Sequence, residues 1–341
     1  MLLVHMMEAR RSPRNVPARF VAVAMTGAML PGLALAQSSV GAPDRSLPEL
    51  ALALRERLAE VLAGASGFPS EFATTIMHSS PTGLALWHLE VLLFGVVFLL
   101  VGYGVARVCG NWIRGRFVHL FNPTPANRRD RLSYLLLRTV LMCVSVAIFA
   151  AVAFALVFAA DAGAPQGRQT QMALVVIVAL VWLVHIVLLN LLAHDTPTHR
   201  LVEIDDEGAQ RLHRAVLAVT VIALSAMGVC TWMLIYGMNH EAHLLLLLGA
   251  TLLAAVLLSL VSLVYRRPVA SMILGPGEEE QKPIALRLLA HNWQVLAVLY
   301  FMGAWMVSAT RLLLGLPSAL GLVFGPLLVV LAALAFYAVL L

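Results

Sequence analysis

The chain has 341 residues, 61% of them hydrophobic and 12% charged, with mean hydropathy +0.89 and a formal net charge of +5. A soluble domain carries roughly 25% charged residues, and here the apolar residues gather in runs too long for globular strands or core helices. The composition excludes an ordinary soluble fold and describes an all-α, polytopic helical membrane protein. The surplus cations sit in loops, so they argue orientation rather than nucleic-acid binding.

Residues 1–36 read as a secretory signal. Arg10, Arg11, Arg14 and Arg19 precede an apolar stretch from Phe20 to Leu35. Ala34-Leu35-Ala36 fits the small-residue cleavage pattern, which would leave Gln37 as the new N-terminus. The other reading is an uncleaved anchor helix. Residues 37–82 are then an exported, periplasmic segment. Leu47 to Leu62 suits a helix, because Leu50, Leu54, Leu58, Val61 and Leu62 fall near one face. Gly64 and Gly67-Phe68-Pro69 are expected to end it. The bland role is a spacer, and the functional one is a helix that lies on the surface or packs against a partner.

The transmembrane region is 83–341. Its first span is expected from Leu84 to Ala106, with Glu90 near one boundary. A basic segment follows. Arg107, Arg114, Arg116, Arg128, Arg129 and Arg131 are opposed only by Asp130, and Arg138 lies just inside the next apolar run. Positive charge in a short loop marks the cytoplasmic side. These six arginines are the candidate topology determinants and contacts to anionic lipid headgroups, each worth about 1 kcal/mol near the surface. Asn122-Pro123-Thr124-Pro125 breaks any helix between them.

The second span is expected from Leu135 to Ala160 and the third from Met172 to Leu192. The third holds Trp182 and His185. A lone His in an apolar run is expected to hydrogen-bond a backbone carbonyl, and a proton relay is the sharper alternative. The loop from His194 to Arg214 is mixed in charge. His194, Asp195 and His199 match no metal-site spacing. The fourth span runs from Ala215 to Tyr236 and the fifth from Leu244 to Val264. Tyr265-Arg266-Arg267 and a loop to Leu286 follow. The sixth span runs from Val295 to Leu314. A seventh run, Leu320 to Leu341, is also long enough to cross, since about 20 apolar residues suffice. Alternation puts the N-terminus in the periplasm and the C-terminus in the cytoplasm of a bacterial inner membrane.

Motifs that carry chemistry are missing. There is no phosphate-binding loop, no catalytic triad and no cofactor signature, so an enzyme is not expected. Cys109, Cys143 and Cys230 are far apart in sequence and show no disulfide or metal framework, and they read as small buried apolar side chains. A permease would need a polar pocket near the midplane, for which His185, Thr220 and Ser225 are the only candidates. A scaffold or sensor would bind a partner through 37–82 or 194–214. No Gly/Ala-rich helix suited to close packing around a pore stands out.

Three stretches carry a family likeness. The segment NPTPANRRDRLSYLLLRT at 122–139 leads into the second span. Ile204-Asp205-Asp206-Glu207-Gly208-Ala209-Gln210-Arg211-Leu212-His213-Arg214 leads into the fourth. Tyr265-Arg266-Arg267 precedes a loop and a further long pair of spans. This layout, over most of 84–341, resembles the N-terminal membrane region of the larger MscS-like mechanosensitive channels of Gram-negative bacteria. The family's pore helix and soluble vestibule have no counterpart here, so no pore residue carries over. The resemblance implies a tension-sensing accessory region in a truncated or partial chain, a ring of identical subunits, and a role in ion transport under osmotic stress.

Overall fold

The computed structural model describes residues 47–81, 83, 85–117, 128–160, 165–192, 206–274 and 282–316. The signal segment, the Asn122–Pro125 breaker, the residues at 193–205 and the seventh apolar run lie outside them. The described residues form nine α-helices. Six of these, α3 to α7 and α9 below, are long and apolar enough to cross a bilayer. The expected all-helical membrane architecture is what the chain adopts.

Two helices precede the spans. Helix α1 covers Leu47–Ala63. A 3-10 turn over Gly64–Gly67 leads straight into α2, Phe68–Ser79. The sequence reading places a helix over Leu47–Leu62 and its end at Gly64 and Gly67-Phe68-Pro69, and α1 does end there; the second helix that follows is what it did not expect. A proline in the first turn lacks only a donor that a helix start leaves unused, so Pro69 starts a helix rather than stopping one.

Helix α3 spans Ala85–Phe117, 33 residues, and α4 spans Arg128–Ala159. The basic segment is therefore mostly helix. Residues 107–117 extend α3 by about 16 Å beyond the predicted end of the apolar span. Charge limits how far a helix lies in lipid, not how far it continues in water. Isolated Gly110 and Gly115 cost about 1 kcal/mol each against Ala, too little to break it. Residues 118–127 lie outside the described residues.

Helix α5 spans Pro165–Leu192 and α6 spans Asp206–Ile235. Gly237, at φ +79°, closes α6. Its N–H donates to the Leu234 carbonyl and the Met238 N–H to the Met233 carbonyl, both at 3.1 Å. That left-handed turn suits Gly. Asn239 then caps α7, His240–Val264, by accepting from the Glu241 N–H. The chain kinks at Tyr265 into α8, Arg266–Leu274, where a loop is expected from the sequence. Helix α9 runs over Ile284–Leu313. Trp293 Nε1 donates to the Arg266 carbonyl at 3.0 Å, which holds α8 against α9.

The spans pack in series. Each of α3 to α6 lies against the next in the chain, α7 lies against α9, and α3 also touches α5. A tight cluster of Ala106, Phe149, Ala153, Val157 and Val175 joins α3, α4 and α5. Its closeness comes from small residues on α3. A Cβ added at Gly102 would lie 3.0 Å from the Phe149 carbonyl oxygen, and one at Gly110 would lie 2.8 Å from Ser145 Oγ. Gly102, Ala106 and Gly110 are four apart, the spacing that lets membrane helices approach. The sequence reading missed this stripe. Elsewhere the spans are open: only 17% to 33% of the residues in each apolar stretch are buried in the protein.

Alternation gives the molecule two ends. The basic end holds the close of α3, α5 and α7 and the start of α4, α6 and α9. The capped end holds the opposite termini, with α1 and α2 seated on them. Val61 of α1 packs with Leu244 and Leu313, and Phe68, Phe72 and Ile76 of α2 pack on Met233, Met238 and Ala242. The functional alternative for α1 is thus the nearer one, except that the partner is the chain's own spans.

Candidate functional site

The predicted site residues divide between two helices. Arg107, Arg114 and Arg116 lie on the closing turns of α3, and all three are exposed. Arg107 donates to the Tyr103 hydroxyl at 3.1 Å. Arg114 donates to Asn111 Oδ1 at 2.8 Å and to the Gly110 carbonyl at 3.3 Å. The Arg116 guanidinium carbon stands 5.4 Å from the centre of the Trp112 ring, within cation–π range. Each bond anchors a guanidinium along its own helix and leaves other N–H groups facing outward. The backbones of Arg128, Arg129 and Arg131 lie in the opening turns of α4.

The packing of α3 on α4 brings both sets to one end. Gly102 faces Phe149 and Ala153, and Gly110 faces Ser145, so the two helices run antiparallel. Trp112 is exposed beside Arg116, and amphipathic rings favour the headgroup level. Chemically this end is a donor-rich, cationic, aromatic-edged surface. It suits phosphate groups held at a bilayer boundary.

A second group lies inside the bundle near the same end. His185 of α5 points its Nδ1 at Nε2 of His213 on α6, 3.0 Å away, with the rings nearly perpendicular. His213 is buried. The sequence reading did not anticipate this cross-helix imidazole as a partner of His185. A hydrogen bond between two ring nitrogens needs one protonated and one bare, so the pair keeps one proton on that line. On the next turn, Asn190 donates to the Ile186 carbonyl, and its Oδ1 is buried with no partner among the described residues.

The capped end has its own polar lock, which the sequence reading did not find. Thr170 Oγ1 accepts from Trp232 Nε1 at 2.8 Å and bonds the Tyr236 hydroxyl at 2.8 Å. His88 is buried with its ring 5.6 Å from that of Trp232 and 5.3 Å from that of Tyr236. Its Nε2 lies 2.8 Å from the Ile76 carbonyl of α2. Arg57 bonds Glu60 on its own helix and Glu241 of α7, the latter at 2.8 Å. The Glu60 bond pushes the Arg57 pKa up from its ordinary value, with the Glu241 charge adding to it. Glu71 of α2 accepts from the Asn239 N–H at 3.2 Å.

No group of three or more His, Cys, Asp or Glu comes together among the described residues in a way that could hold a metal ion. The three cysteines are free thiols, Cys230 buried and the other two half-buried. No known protein family matches the chain, and neither a curated protein nor a solved structure does.

Proposed function

We propose that this membrane-embedded chain is a tension-sensing accessory region of a mechanosensitive ion channel of the MscS-like kind. In this reading it sits in a bacterial inner membrane with the basic end in the cytoplasm. One observation carries the proposal: the spans pack in series, and no more than a third of the residues in each apolar stretch are buried within the protein. Lipid tails are as apolar as the spans, so helices gain little from hiding from them. A series of helices with few polar bridges tilts at fractions of a kcal/mol per Å of mismatch. Summed over six spans, that is enough to bias a gate. The His185–His213 bond and the capped-end lock would transmit such a tilt between helices rather than absorb it.

Patch-clamp of the full-length gene product under suction tests the reading. Openings that rise with tension, and shift to higher tension when the spans are deleted, are expected. Currents indifferent to suction would overturn it. A second reading has one observation in its favour, since a hydrogen-bonded imidazole pair between spans is a place where a proton-coupled carrier could hold a proton. Proteoliposomes that dissipate a pH gradient only with His185 and His213 intact would select that reading.

A further inference from the structure

We propose that a crevice between α6 and α7 is a binding site for one acyl chain of a membrane phospholipid. The crevice is an open groove with a volume of about 400 Å³. Ala226 and Val229 of α6 form one wall; Gly249, Ala250 and Leu253 of α7 form the other; Phe68 of α2 roofs it. The hollow exists because small side chains face each other there. A Cβ built at Gly249 meets nothing within 4 Å. The opposite face of α6 is filled instead, where Gly228 receives Ile177 of α5.

The position decides the occupant. Val229 and Gly249 lie about 10–15 Å below the turn that joins the two helices, at 1.5 Å per residue. That depth is within the hydrocarbon layer of a bilayer spanned by these helices, not among headgroups. The mouth is edged by Val229 and Leu253, which are 38% and 43% exposed, so it opens on the surface that lipid covers. The named walls are apolar, so a headgroup or a polar solute gains nothing inside. From Leu245 to Leu253 the wall runs about 12 Å along α7, a slot shaped for an extended chain. Phe68 belongs to the cap, so a seated chain would touch both the spans and the helix that clamps them. The inference rests on the spans lying in a bilayer and not on the channel reading.

The test uses the whole chain reconstituted in nanodiscs with a phospholipid that carries a diazirine at the end of one acyl chain. After irradiation, mass spectrometry maps the labelled residues. Labelling at Val229 and Leu253 should exceed, several-fold, that at Leu288 and Leu299, which are more exposed on α9. Gly249→Phe should reduce the crevice labelling several-fold and leave α9 labelling unchanged, whereas Gly249→Ala should leave both unchanged. Ala226→Phe, on the other wall, repeats the test should Gly249→Phe not fold. Equal labelling of crevice and α9, or labelling indifferent to the filling variants, overturns the proposal. So does cross-linking of the crevice to residues 320–341 or to a second copy in place of lipid.

Discussion

Gly102 marks a close approach of α3 to the backbone of α4. The nearest atom to an added Cβ is a backbone oxygen at 3.0 Å, followed by the Phe149 ring at 3.2 Å and Ala153 Cβ at 3.3 Å. A carbonyl in a packed helix cannot swing aside as a side-chain tip can. Gly102→Leu is therefore expected to destabilise by about 1–3 kcal/mol, the usual range for overpacking. Gly104, two residues on, has nothing within 4 Å. Gly104→Leu should leave stability unchanged or slightly raised, since Gly in a helix interior is about 1 kcal/mol worse than Ala. Unfolding midpoints in mixed micelles compare the two; equal shifts would remove the close-approach argument. The imidazole pair invites a similar comparison. His185→Leu and His213→Leu each remove one ring of the contact, and the double variant removes both. The double-mutant cycle should yield a coupling of about 0.5–1.5 kcal/mol, and strict additivity would mean that the 3.0 Å contact does not stabilise the fold.

Among the elements, α1 and α2 decide whether the capped end is one body. Val61 is 1% exposed between Leu244 of α7 and Leu313 of α9. Val61→Asp puts a carboxylate where nothing apolar can solvate it. The expected result is that α1 lifts away and the Gly64–Gly67 turn is cut several-fold faster by added protease, while the helical signal of the spans persists. Unchanged cutting would mean that the cap is not held there. The spans themselves were legible in the sequence because a bilayer demands long unbroken apolar runs, a signal local to each element. So was α1, from the one-sided spacing of Leu50, Leu54, Leu58 and Val61, whereas the short helices α2 and α8 were not. Pro69 and Pro268 lie in the first turns of α2 and α8, and a proline reads equally as a stop or a start until the chain after it is seen. The His185–His213 bond was illegible for another reason. Its two rings come from separate helices, and only the packing of α5 on α6 tells which turn faces which. The stripe of Gly102, Ala106 and Gly110 could have been read from its four-residue spacing alone.

For the molecule as a whole, the positive-inside rule makes the distribution of charge between the two ends the expected determinant of how the helices thread. The basic end carries Arg107, Arg114 and Arg116 on α3 and Arg128, Arg129 and Arg131 on α4, and later spans add Arg211, Arg214, Arg266 and Arg267. At about 1 kcal/mol per near-surface cation, replacing Arg114, Arg116, Arg128 and Arg129 with Ala removes roughly 4 kcal/mol of preference from the first helix pair alone. The later cations are untouched, so the remaining spans keep their direction. The first pair then loses its reason to agree with them, although Gly102 and Gly110 still bind α3 to α4. The expected outcome is a mixed population. A Leu120→Cys probe in a background without Cys109, Cys143 and Cys230 should resist a membrane-impermeant maleimide in intact cells. In the quadruple variant a fraction should become labelled. Labelling of the parent probe from outside would invert the orientation, and a fully protected variant would move the determinant from these four arginines to the cations that follow.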